Sequence, residues 1–343
     1  MSWEWSAEQK AALIAFLRSQ GMEFGEISLR QIGDGHSNLT YLVSDGRREV
    51  VVRRGPPPPV PVGAHDMLRE AKLMAALVNS DVPVPRVLAT CAAGAVIDVA
   101  FYVMSYIRGE IITTKTPAVF ASGEQRRQIA ASMIDALVKL HQVDWEAAGL
   151  ADMGRPENFN KRHLDRMARL VADDQGRPPA GFADVDEWLH EFAPAESGAA
   201  IVHNDFRIGN LMFGSNPPAR VAAVLDWELA TIGDPLFDVG YFLSSVPVQG
   251  EPLTPTQELS VALTEDGYPS REEMARSYAQ LSGRDFSSLN WYTTLALWKL
   301  AVLYEYGRRR VSEGRGDTYY ENPAKVESFL AAARRAAGLP RRS

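Results

Sequence analysis

The stretch "AAIVHNDFRIGNLMFG", residues 199–214, carries His203, Asp205, Arg207 and Asn210 inside an otherwise apolar run. Sixteen residues beyond Asn210, "VLDWE" places Asp226 at the end of a second apolar segment. Asn210 and Asp226 offer oxygen ligands of the kind a hard divalent ion such as magnesium takes while it keeps much of its water. An aspartate five residues before the asparagine could stand beside that ion and accept a proton from a hydroxyl. Such a set suits phosphoryl transfer. The histidine and aspartate alone would equally suit a turn network that satisfies buried backbone groups, and Asp226 alone would suit a helix cap.

Two upstream features bear on the same chemistry. "GDGHSN" joins two predicted strands; Gly33 and Gly35 would let the backbone approach a phosphate, and Ser37 and Asn38 could present donors. The same letters also read as a plain Gly-Asp-Gly hairpin, and they form neither a Walker loop nor a complete G-x-G-x-x-G. Arg53 ends the strand "VVVR" and Glu70 lies in the next predicted helix. These two could form a cation–carboxylate clamp for phosphate, or they could be an edge-strand arginine and a solvated glutamate.

Elements must hold these groups in place. Ser6 with Gln9 caps a helix over 6–19. From 27 to 54, alternation, β-branched residues and two turn signals predict three antiparallel strands. "PPPPVPVG" reads as a stiff connector, followed by a helix over 64–79 and strands at 86–90 and 100–106. Beyond Gly109 the pattern is mainly helical. Ser122 with Gln125 caps a core helix, and further helices are predicted near 159–172, 184–192, 256–264, 271–281, 289–311 and 323–337. Short strands at 200–203, 211–213 and 221–226 flank the opening motif. The division falls at 106: residues 1–106 read as a small β-rich lobe, and 107–343 as a larger helical lobe.

The 343 residues are 46% hydrophobic with a formal charge of -7. That composition predicts a globular chain and argues against nucleic acid as partner. The single cysteine, Cys91, rules out an internal disulfide framework and fits a reducing, cytoplasmic compartment. No signal peptide or membrane span is read, and oligomeric state is not legible. A hydrolase would need an activated nucleophile, and no G-x-S-x-G elbow is present.

Taken together, "VHNDFRIGNLMF", "VAAVLDWELATIGDPLFDVGYF", "GDGHSN" and "VMSYIRG" resemble the aminoglycoside phosphotransferase (APH) family of the protein-kinase-like fold. The likeness runs over nearly the whole chain from about residue 27 and is nearest to the branch related to kinase-like domains found with acyl-CoA dehydrogenases. It implies a bilobal α+β fold and transfer of the ATP γ-phosphoryl group to the hydroxyl of a small molecule. By resemblance, Asp205 is the catalytic base, Asn210 and Asp226 are the Mg2+ ligands, and His203 buttresses the loop. Arg207 falls near the transferred phosphate, "GDGHSN" covers the phosphates, and Arg53 with Glu70 forms the phosphate clamp. Met104, Ser105 and Tyr106 lie in the hinge that meets adenine through backbone groups. Asp234 and Asp238 take cap or network roles.

The chain departs from the pattern twice. Arg53 stands where protein kinases carry lysine, and the two present their donors differently. Asn204 stands where the family often has glycine; asparagine is the next most tolerant residue if the backbone there is left-handed. An acidic chain invites a cationic acceptor, an aminoglycoside or amino alcohol. Arg308, Arg309, Arg310 and Arg315 read as a solvated helix end or as an anion site that would suit a hydroxy acid or hydroxyacyl-CoA. The competing class is a nucleotide-binding pseudokinase acting as an interaction module.

Overall fold

The computed structural model describes residues 5–33, 38–56 and 66–340. The chain divides into two compact units, Met1–Arg108 with Ala223–Glu228, and Gly109–Ala222 with Leu229–Ser343.

In the first unit, helix α1 (Ala7–Ser19) begins with the expected capping box, Ser6 and Gln9 each satisfying the other's backbone N–H. The strands are β1 (Ser28–Gln31), β2 (Leu39–Ser44) and β3 (Glu49–Arg54), then, after helix α2 (Met67–Leu77), β4 (Val87–Cys91) and β5 (Phe101–Ser105). They form one antiparallel sheet in the order β1-β2-β3-β5-β4. β3 is therefore central, which corrects the edge-strand alternative for Arg53. Alternation on β2, β3 and β5 sends Val43, Val50, Val52, Phe101 and Val103 to one face, where Leu13 and Leu17 of α1 cover them. Cys91 is buried in this core.

In the second unit, β6 (Glu110–Ile111) is followed by helices α3 (Gly123–Gln142), α4 (Phe159–Val171) and α5 (Ala183–Glu191), and then by strands β7 (Ala200–Val202) and β8 (Leu211–Phe213). β9 (Val221–Val224) carries the chain toward the first unit, and β10 (Thr231–Gly233) follows its return. The remaining helices are α6 (Pro235–Ser245), α7 (Pro255–Glu258), α8 (Arg271–Ser282), α9 (Leu289–Ser312) and α10 (Pro323–Ala337). Ser122 caps α3 as expected, whereas the Gln125 side chain is turned away to accept from the Ala219 N–H.

The short strands β6 and β10 lie outside the expected set, and two helical segments differ from the sequence expectation. The helix expected over 256–264 breaks into α7 and a 3-10 turn at Val261–Thr264. Helix α6 was not expected, although Asp234 caps it and Pro235 is its first residue. All eleven of its residues are buried, so its apolar pattern has no polar face for periodicity to detect.

Candidate active site

β7 and β10 pair antiparallel, with Ile201 opposite Ile232, and β7 delivers the chain into the turn at 203–210. Asn204 takes the left-handed conformation, φ 65°, the backbone that asparagine tolerates next after the glycine often found at this position in the family it resembles. Buried Asp238 accepts the backbone N–H groups of His203 at 2.5 Å and Asn204 at 2.7 Å, satisfying amides that the turn leaves outside any ladder. The Asn204 side chain donates to Leu229 O at 2.8 Å, and Lys299 Nζ donates to Asn204 O at 3.0 Å. His203 is fully buried, and its Nδ1 lies 3.3 Å from the Asp205 N–H.

This frame presents Asp205. Its Oδ2 and its main-chain oxygen both accept from Asn210 Nδ2 at 2.8 Å, and its Oδ1 accepts from the Tyr241 hydroxyl at 2.5 Å. Arg207 Nε stands 3.5 Å from Oδ1. The Asp205 side chain keeps 22% of its surface open. Asn210, on the 3-10 turn at Ile208–Asn210, has its Nδ2 engaged twice by Asp205, which orients the amide and leaves its oxygen as a group that could meet a cation. The structure thus brings Asp205, Arg207 and Asn210 together.

In the first unit it brings together Arg53, Glu70 and Asp226. Arg53 Nε lies 3.1 Å from Glu70 Oε1, and Arg53 Nη2 bonds Asp226 Oδ1. Glu70 is 2% exposed, which removes the solvated alternative, and it also accepts from the Tyr102 hydroxyl at 3.0 Å. Burial would lower the pKa of the Arg53 guanidinium, but Glu70 and Asp226 hold it above its ordinary range. Burial raises the Glu70 carboxyl above its ordinary range, and Arg53 offsets only part of that rise. Asp226 is also left-handed, φ 65°, with a third of its side chain exposed. One of its carboxylate oxygens is engaged by Arg53, so the other is the oxygen available to a hard cation.

Asn38 is buried and donates to Glu228 at 2.7 Å. Gly33 takes φ 79°, which favours glycine; Gly35 and Ser37 lie outside the described residues. Met104 is buried in β5, and Ser105 N–H donates to Arg86 O at 2.9 Å, so backbone groups other than this N–H must serve any ligand at the hinge. Tyr106 stacks beneath the Arg108 guanidinium. The arginines near the carboxyl end are matched locally. Arg308 and Arg309 bond Glu305, Arg315 bonds Glu313, and Arg310 lies over Tyr306, as expected of a helix end.

Tyr241, Lys299 and the backbone-accepting role of Asp238 escaped the sequence reading. A helix start at Asp234-Pro235 would have placed Asp238 and Tyr241 three apart on one helical face. Lys299 was visible as the one cation in "WYTTLALWKLAVLYEY", the pattern of a buried cation with a partner.

The family model for the phosphotransferase enzyme family (APH) matches residues 28–274. IBR3 of Arabidopsis thaliana, named for an acyl-CoA dehydrogenase, is 35% identical over 81% of this chain and 36% of its own length. Acyl-CoA dehydrogenase family member 10 of Mus musculus is 30% identical over 89% of this chain and 29% of its own. The chain spans about a third of the length of these curated relatives. A candidate aminoglycoside phosphotransferase from Ralstonia eutropha JMP134 superposes with TM-score 0.79 at 28% identity, covering 96% of this chain and 98% of that one. The fold is also that of aminoglycoside phosphotransferase APH(4)-Ia, solved with AMP-PNP and hygromycin B, at TM-score 0.60 and 17% identity over 95% and 98% of the two chains.

Proposed function

Because the chain belongs to the phosphotransferase enzyme family, we propose that it transfers the γ-phosphoryl group of ATP to a hydroxyl of a small molecule, with Asp205 as the base. The observation that carries this reading is the Asp205 carboxylate, fixed through both oxygens yet partly open to solvent. Each carboxylate oxygen keeps a lone pair beyond the bond it accepts, so a hydroxyl can still donate to it. In the transfer, the acceptor oxygen forms a bond to the γ-phosphorus as the bond to the leaving ADP breaks, and Asp205 takes the hydroxyl proton. Arg207 supplies positive charge beside Asp205 for the phosphoryl oxygens. Magnesium, when bound, would neutralise phosphate charge; the hard oxygens of Asn210 and Asp226 fit it chemically, and their role as ligands follows from the motif. Arg53, with two carboxylate partners, holds Glu70 and Asp226 in position, as the resemblance leads one to expect of a phosphate clamp.

The neighbour solved with AMP-PNP and hygromycin B supports a nucleotide and a small hydroxylated acceptor. The relatives named for acyl-CoA dehydrogenases support a hydroxy acid or hydroxyacyl thioester instead. An alcohol panel spanning aminoglycosides, amino alcohols, hydroxy acids and hydroxyacyl thioesters, read by ADP release, identifies the class. With the best acceptor, Asp205→Ala and Asp226→Ala should fold and lose turnover by about a hundredfold or more. Near-wild-type turnover in Asp205→Ala would reject the assigned base. Nucleotide binding without turnover of any alcohol would favour a pseudokinase.

A further inference from the structure

Several contacts hold the 203–210 turn itself. Asp238 takes the amides of His203 and Asn204, Lys299 takes the Asn204 carbonyl, and Asn210 takes the Asp205 carbonyl. Tyr241 touches the turn differently. Its hydroxyl reaches the carboxylate of Asp205 at 2.5 Å, and among the described residues no backbone group of the turn accepts from it. The ring is 4% exposed on α6, and Lys299 Nζ stands 5.1 Å from its centroid. A carboxylate turning about its side-chain torsions would carry its open lone pairs away from the acceptor. Asn210 holds Oδ2 and Tyr241 holds Oδ1, and a carboxylate held at both oxygens has its plane defined. Burial, with the Asp205 charge beside it, lifts the Tyr241 phenol well above its ordinary range, so it remains a donor and does not compete for the substrate proton.

We propose that Tyr241 is a positioning residue of this site, its hydroxyl fixing the Asp205 carboxylate in the orientation that receives the acceptor hydroxyl. The inference rests on the reading of Asp205 as the base. It adds a role for α6: one turn of this helix supplies both Asp238, which holds the backbone of the turn, and Tyr241, which aims its side chain.

Tyr241→Phe removes one oxygen and keeps the ring that fills the core. ADP release from ATP and magnesium, measured with the best alcohol of the panel and with water alone, should show kcat lowered about tenfold to a hundredfold, the usual consequence of a misplaced catalytic group. KM for ATP should be unchanged. A crystal structure of the variant should show the Asp205 carboxylate turned from its wild-type orientation while the backbone at 203–210 superposes. An unchanged kcat, a KM for ATP that rises in step with the loss, or an Asp205 carboxylate that stays in place without the hydroxyl would each overturn the proposal. Asp205→Ala separates the two levels. If it retains turnover, the base assignment fails, whereas if it abolishes turnover and Tyr241→Phe does not lower it, only the positioning role fails.

Discussion

At the scale of single residues, the turn concentrates unusual demands on a few side chains. Asn204 combines a left-handed backbone with a side-chain bond to Leu229 O. Alanine there would meet the backbone cost and lose the bond, and glycine would lose only the bond. Asn204→Ala should therefore destabilise by about 2 kcal/mol and Asn204→Gly by about 1 kcal/mol, as urea midpoints will show. Lys299 is the second such residue. Burial lowers its ammonium pKa from 10.5 to about 8, Asp205 and Asp238 draw it upward, and Arg166 opposes them. The unfolded chain keeps this proton up to about 10.4, while the folded chain releases it at about 8. Between those values the unfolded state binds more protons, so this group's contribution to stability rises with pH. Wild-type protein should accordingly gain stability relative to Lys299→Met as pH increases from about 8 to about 10. A parallel pH dependence of the two urea midpoints would contradict the burial argument.

At the scale of elements, α6 and α9 decide how the site is held. A Cβ added to Gly240 of α6 would come within 2.6 Å of the Tyr292 backbone carbon and 2.8 Å of the Thr293 backbone nitrogen, both on α9. Helix backbones cannot yield as a flexible side chain can, so Gly240→Ala forces the helices apart and should cost about 1–3 kcal/mol. The same displacement would move Asp238 and Tyr241 relative to Lys299, and turnover should fall with stability. Calorimetry and ADP release on one preparation test both halves of that expectation. Tyr292 also donates to Asp234 at 2.6 Å, and Asp234 in turn accepts from Asn160 Nδ2 and Ser197 N–H. With both carboxylate oxygens engaged at the start of α6, Asp234 takes the cap or network role expected for it.

At the scale of the molecule, ATP binding should be separable from turnover. A ligand that binds only the folded state stabilises it by about 2.7 kcal/mol at a hundredfold excess over Kd. Thermal midpoints of wild type and Asp205→Ala should therefore rise alike with ATP and magnesium, while Asp226→Ala should respond less because it removes a proposed ligand of the ion. An equal response in all three would argue against a metal role for Asp226. Among the described residues, no helix is long and apolar enough to cross a membrane.

The sequence by itself determined the local and the chemical: the capped helices α1, α3 and α10, the antiparallel strands of the first unit, and the residue types and spacing of His203, Asp205, Asn210 and Asp226. Caps, turns and alternation act over a few residues, and side-chain chemistry is fixed by residue type, so both are written in neighbouring letters. Tertiary structure decided the pairings between distant letters. Glu70 becomes a buried partner of Arg53 because β3 is central in its sheet, and Lys299 meets Asn204 O across 95 residues. Helix α6 stayed hidden because a helix buried on every side has no amphipathic period. The segment Ala223–Glu228 belongs to the first unit although it lies far along the chain. Packing, not composition, assigns a segment that short.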